Sequence, residues 1–175
     1  MNPSSSSFSP EFQETLVWLG LDLGAARCGL AVATVPFADG PQLPPLATAL
    51  AVVQTRPAES LALRIRQDLG ARRPVALVAG LPLDAKGREG PSALTVRTLA
   101  EQLQVELTAL YGLAEQLPLH FVDERFSTAA ILSERRSAPG PARRGQPKHV
   151  PLRELRSGID AAVAAALLQG WLDRH

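Results

Sequence analysis

The stretch Leu19-Gly20-Leu21-Asp22-Leu23-Gly24 closes the first apolar strand of the chain, and its reading decides the fold. A carboxylate set directly after buried strand residues is costly to desolvate unless a partner meets it. A metal ion is the usual partner where other acids converge on the same point. Asp22 therefore has two readings: the first member of a carboxylate site, or a turn residue of the kind Asp and Gly commonly supply. Companion acids elsewhere in the chain decide between them.

Outward from this stretch, Thr15 to Asp22 is mainly apolar and of strand length. Gly24 to Gly29 is a tight connection and Gly29 to Val35 a returning strand, a hairpin that begins a sheet. Pro36 to Pro45 is a Pro/Gly-rich loop. Leu46 to Val53 gives a third strand, weakened by Ala47, Ala49 and Ala51. After Pro57 the period changes: Leu61, Ile65, Asp68 and Leu69 lie on neighbouring helical turns, and Gly70 ends the helix. Val75 to Gly80 is a continuous apolar run typical of a central parallel strand. A polar loop from Leu81 to Pro91 follows. From Ser92, residues Leu94, Leu99, Leu103 and Leu107 or Leu110 mark a longer amphipathic helix ending near Gly112. Leu119 to Val122 is a fifth strand closing on Asp123-Glu124-Arg125. Ser127 or Thr128 can cap a helix to about Arg136, and a last helix runs from about Leu152 to Leu172. Three strands followed by α, β, α, β, α, α predict an α/β domain, with right-handed crossovers laying the later strands parallel beside the first.

The totals bound the function. At 175 residues and 46% hydrophobic content the chain builds one sizeable core, and with 5% aromatics that core rests on Leu, Val and Ala. Met1 to Glu14, with Ser4 to Ser7 in a row, is expected to be a flexible tail, leaving 15–175 as the folded domain. Net charge is only +1, but it is unevenly spread. Between Arg125 and Arg156 eight basic residues face two acids, a segment charge of +6, while the rest holds ten basic and fifteen acidic residues, or −5. Such asymmetry is the electrostatic footprint of a polyanion partner, or else a solvated basic loop. Within it, the Pro/Gly-rich run from Ser137 to Pro151 is expected to be mobile. A single cysteine, Cys28, excludes an intrachain disulfide and suits a reducing compartment. Neither a signal peptide nor an apolar run long enough to span a bilayer is visible, so a cytoplasmic protein is expected.

The companion acids are Asp123 and Glu124, after the fifth strand, and Asp160. The last lies in Gly158-Ile159-Asp160-Ala161-Ala162-Val163-Ala164, an otherwise small and apolar helical face. Small alanines would let that helix lie close against the sheet and bring Asp160 over the strand ends. The plainer alternatives are that Asp160 pairs with Arg156, one turn earlier, and that Asp123 caps the following helix. Carboxylates without His or Cys suit hard ions such as Mg2+ or Mn2+, and two such ions can activate water and stabilise the leaving oxygen in phosphodiester cleavage. Adjacent strand residues point to opposite faces, so Asp123 and Glu124 serve together only if the strand has already ended. Cys28 is expected to be buried, and Trp18 and Trp171 to be core or surface cover.

Four motifs occur in order: Gly20-Leu21-Asp22-Leu23-Gly24 with Arg27 and Gly29; Gly80-Leu81-Pro82-Leu83 with Gly87; Asp123-Glu124-Arg125-Phe126-Ser127-Thr128; and Ile159-Asp160-Ala161-Ala162. The series resembles the YqgF/RuvX family, relatives of the RuvC Holliday-junction resolvase in the ribonuclease H-like superfamily, over roughly Val17 to Leu172. The resemblance implies an RNase H-like mixed five-stranded sheet, three antiparallel strands then parallel ones, flanked by helices. It also implies a metal-dependent endonuclease that processes the 5′ end of precursor 16S rRNA. Cleavage of branched DNA at Holliday junctions, or a nucleic-acid-binding module without catalysis, are the alternatives. By motif match Asp22, Glu124 and Asp160 are the metal-holding catalytic acids, with Asp123 in support and Mg2+ or Mn2+ as cofactor. Arg27, Arg125, Arg143, Arg144, Lys148 and Arg156 are the candidate substrate contacts, and a monomer or homodimer is expected. The Gly80-Leu81-Pro82 strand end carries no acid where RuvC-type resolvases hold one, which shifts weight onto Glu124.

Overall fold

The central strand β1 (Thr15–Leu23) is buried on both faces, which its nearly unbroken apolar sequence requires. Val17, Leu19, Leu21 and Leu23 point to one side, and Trp18, Gly20 and Asp22 to the other. The computed structural model describes residues 15–36, 44–124 and 152–175, the side chains at 59 and 152–157 excepted. β2 (Arg27–Thr34) returns antiparallel from Leu23↔Cys28, and β3 (Thr48–Gln54) pairs antiparallel with β2. β4 (Arg72–Leu81) lies parallel to β1 on its other edge, and β5 (Leu119–Asp123) parallel to β4. The order β3-β2-β1-β4-β5 is the expected mixed five-stranded sheet.

Strand ends run further than the apolar runs indicate. β2 starts at Arg27 rather than Gly29, and β4 starts at Arg72 rather than Val75. Pro74 sits inside β4, where it lacks an N–H for the ladder. The sheet absorbs it with a register shift: Val17 pairs with Pro74 but Trp18 with Ala76, so Val75 is skipped.

Two helices, α1 (Leu61–Leu69) and α2 (Pro91–Leu110), cover the face of Leu19 and Leu21. α1 ends at Gly70, whose φ of 59° suits glycine and whose N–H returns to the Arg66 and Gln67 carbonyls. α2 starts with Pro91 at its first position, where no N–H is missed. The opposite face is covered by α3 (Leu152–Leu172), with Val163, Ala164, Leu167 and Leu168 buried against Ala31, Ala33, Val78 and Val122.

What seats α3 is in the strands as much as in the helix. A Cβ on Gly29 of β2 would stand 2.1 Å from the Asp160 carbonyl oxygen. On Gly20 of β1 it would stand 2.8 Å from Leu168 Cβ and 2.9 Å from the Ala164 carbonyl oxygen. Three strand glycines, these two and Gly80, thus form a trough in which the Ala-rich helix touches bare backbone. The helix expected near 127–136 and the tail 1–14 lie outside the described residues.

Candidate active site

The trough delivers the acids to one end of one face. Asp22 is the next residue after Gly20 on the α3 side of β1 and is 7% exposed. Its cross-strand partner is Gly29, the residue on which the Asp160 backbone rests. Asp160 is 3% exposed, so its carboxylate must be compensated. Arg27 meets it from the start of β2, with Nε 3.0 Å from Oδ2. The sequence alone offers Arg156 for this role. The ion pair seen among the described residues comes from a residue 133 positions away in number, brought over by the β1–β2 turn; the Arg156 side chain is not among them.

Glu124 follows β5. Val122 pairs with Gly80 and faces α3, whereas Phe121 packs on the α2 side, so the pleat turns Asp123 away from α3. The Glu124 carboxylate lies over Gly80, where a Cβ would stand 2.6 Å from Oε1. Leu21 pairs with Ala79, so Asp22 and Gly80 follow side by side. Asp22, Glu124 and Asp160 thereby share a face and a sheet end, from β1, the end of β5 and α3. Among the described residues no three His, Cys, Asp or Glu side chains stand close enough together to hold an ion. The donors nonetheless fit a hard divalent cation in kind. All three are carboxylates, and Asp160 already takes a cation, the Arg27 guanidinium.

Cys28, fully buried behind this end, reports the local field. Burial first, then the negative charges of Asp22 and Asp160, push its thiol pKa well up, so the side chain stays neutral and unreactive. The expected burial of Cys28 holds.

The loop after β4 is built rather than loose. The Asp84 carboxylate accepts from the Lys86 and Arg88 backbone N–H groups at 2.8 and 2.9 Å and from Arg88 Nε at 3.0 Å. Leu83 and Glu89 form a bridge, and Glu89 takes an ion pair from Arg97, whose guanidinium also lies 4.4 Å from the centre of the Phe121 ring. The Arg97 hydrogen bond holds the Glu89 carboxyl below its ordinary pKa. Asp84 thus fixes a turn on which Lys86 and Arg88 are exposed, a feature that only the Asp84 turn spacing in the sequence signals.

A groove of 1140 Å³ opens at the same sheet end but on the α1/α2 side, lined by Leu23, Gly24, Arg56, Pro57, Ser92 and Leu94 among others. Its lining includes none of Asp22, Glu124 and Asp160. Trp18, His120, Trp171 and His175 form an aromatic cluster at the far end, with Trp171 and His175 stacked at 4.6 Å between ring centres, and serve as cover for the sheet. Arg125, Arg143, Arg144 and Lys148 lie outside the described residues, as does the side chain of Arg156.

Residues 16–174 match RuvX, described as Holliday junction resolvase. The chain belongs to the RuvX family. A relative from Anaeromyxobacter sp. (strain Fw109-5), named "Putative pre-16S rRNA nuclease", is 38% identical over 159 residues, covering 90% of this chain and 98% of its own. A protein of the same name from Paracoccus denitrificans (strain Pd 1222) is 37% identical over 172 residues, covering 96% and 90%. Among solved structures, Thermus thermophilus RuvC aligns with a TM-score of 0.48 and 19% identity, covering 90% of this chain and 95% of that one. The sheet order observed is that of the mixed five-stranded sheet expected for the chain. No helix among the described residues is long and apolar enough to cross a membrane.

Proposed function

We propose that this RuvX protein is a divalent-metal-dependent endonuclease that trims the 5′ end of precursor 16S rRNA in the cytoplasm, Asp22, Glu124 and Asp160 being the ligands of Mg2+ or Mn2+. The observation that carries this reading is the shared face and sheet end of the three acids, with Glu124 lying over Gly80. It favours Glu124 over Asp123 as the third ligand. The names of the relatives, which match nearly full length, favour the RNA substrate. Bound divalent ions would activate the attacking water and stabilise the leaving oxygen. The chain's own contribution is to hold the carboxylates on a rigid sheet end and to grip phosphates with Arg27, Arg125, Arg143, Arg144, Lys148 and Arg156. That grip weakens with salt.

The family description favours a second reading, cleavage of branched DNA at Holliday junctions, which needs two paired sites and hence a homodimer. One assay separates the two. The protein is incubated with a labelled precursor-rRNA fragment and with a four-way DNA junction, in Mg2+, Mn2+ or EDTA. Cleavage of the RNA alone, lost in EDTA, is expected. Symmetric junction cuts with intact RNA would replace it with the resolvase reading. Binding without cleavage of either, unchanged by Asp22→Asn, would leave a binding module.

A further inference from the structure

The ion pair between Arg27 and Asp160 joins a buried carboxylate to a cation that is free to leave. The Asp160 side chain is 4% exposed and that of Arg27 is 28% exposed. The Arg27 backbone is fixed, because its carbonyl accepts the Gly24 N–H at 2.9 Å and its strand position pairs with Gln54. Only the side chain can swing. The Asp160 backbone is fixed as well, pressed onto Gly29. Asp22, across the ladder from Gly29, brings a second carboxylate to the same place, so a cation arriving between the two acids meets the guanidinium already on Asp160. Two positive charges at contact distance from one carboxylate oxygen repel each other.

We propose that Arg27 is a positioning residue that acts as a placeholder: its guanidinium holds the Asp160 side chain in place, and a divalent ion displaces it. This rests on the metal reading of the acids given above. The placeholder gives a buried carboxylate a charged partner. It also makes every binding event an exchange, which lowers apparent metal affinity by the fraction of molecules in which the pair is closed.

The exchange has a sign that a merely structural role lacks. A residue that only positioned Asp160 for the metal would weaken metal binding when removed. A placeholder strengthens it. Mn2+ titrations, read by the EPR signal of free Mn2+, are expected to show Arg27→Gln binding Mn2+ about tenfold more tightly than wild type, if about nine-tenths of wild-type molecules hold the pair closed. A second measurement uses the wild type itself. The Nε–H resonance of Arg27, followed by 15N NMR during Mg2+ titration, is expected to shift from its paired position as the site fills.

Equal or weaker Mn2+ binding by Arg27→Gln would overturn the placeholder. So would tighter binding with the Nε–H resonance unmoved, since Arg27 would then act only as a like charge. If Arg27→Gln does not fold, the wild-type resonance decides alone, and its failure to shift at saturating Mg2+ overturns the proposal. A wild type that binds neither ion, with Asp22→Asn indistinguishable from it, would overturn the metal reading itself and the placeholder with it.

Discussion

The backbone carbonyl of Asp160 occupies the space that a side chain on Gly29 would need, a Cβ there standing 2.1 Å from the oxygen and 2.4 Å from the carbonyl carbon. Both obstacles are backbone, so neither can rotate away. Gly29→Ala is expected to lift α3 from the sheet at Asp160 and to cost about 3 kcal/mol or more. Urea unfolding monitored by far-UV circular dichroism reads the loss as a lower midpoint. An unchanged midpoint would mean that the helix does not sit on β2.

Gly80→Ala makes the contrasting case. Its Cβ would meet Glu124 Oε1 at 2.6 Å and Leu167 Cδ1 at 2.7 Å, both far ends of side chains that can move. The stability cost is expected to be smaller, about 1 kcal/mol. Cleavage is expected to fall out of proportion, by about a hundredfold, because a carboxylate displaced by an ångström no longer meets its target. Measuring both quantities on one variant separates the effects. Equal loss of cleavage in a Leu167→Ala variant of the same stability would show that instability alone is responsible.

The strands and helices were legible because burial on both faces leaves apolar runs, and covering helices leave a 3.6-residue stripe. Asp22, Asp123 and Glu124 stood out as acids at strand ends and Asp160 as an acid within an apolar helical face, while the preference for Glu124 came with the family resemblance. The pairing of Asp160 with Arg27 was not legible, since it depends on which residue β2 places beside α3. Arg156, one turn away, was the cation that local spacing could offer; Arg27 required the register Leu23↔Cys28. Alanines in the last helix signalled close packing, but the matching half of that contact, Gly20, Gly29 and Gly80, lies on three separate strands. Strand glycines read as weak points until the helix above them is known.

Asp123 and Glu124 separate by face. Phe121 packs toward α2 and Val122 toward α3, and Glu124 lies over Gly80 on the α3 side. Glu124→Gln is therefore expected to lower cleavage by a hundredfold or more, about the several kcal/mol a metal ligand contributes to the transition state. Asp123→Asn is expected to stay within roughly threefold of wild type, a small fraction of that term. Rate constants at saturating Mn2+ on the precursor fragment compare them. The reverse ranking would exchange the two assignments.

The segment charge of +6 makes salt a probe of the substrate grip. Arg143→Ala combined with Arg144→Ala is expected to weaken binding of single-stranded precursor without moving the cut. Removing two phosphate contacts should flatten the slope of log K against log salt by about 1.4, at roughly 0.7 per contact on a single strand. Fluorescence anisotropy from 50 to 300 mM KCl measures it. A slope equal to that of wild type would remove this pair from the interface.

Cys28 ties stability to alkaline pH. Its thiol has an ordinary pKa of 9.0, and burial, then Asp22 and Asp160, raise it in the folded protein. Because the folded value is the higher one, the contribution is fully present below pH 9 and is lost as pH rises from there toward the folded pKa, since only the unfolded chain can then release the proton. Wild type is expected to lose about 1.4 kcal/mol per pH unit above 9 relative to Cys28→Ala, the groups common to both cancelling. At pH 7 the order is reversed, the variant being weaker by about 1 kcal/mol for the atom it lacks in the core. Unfolding midpoints from pH 7 to 10.5 should therefore converge above pH 9. Parallel curves would mean that the thiol ionises in the fold as readily as in water, which full burial beside two carboxylates forbids.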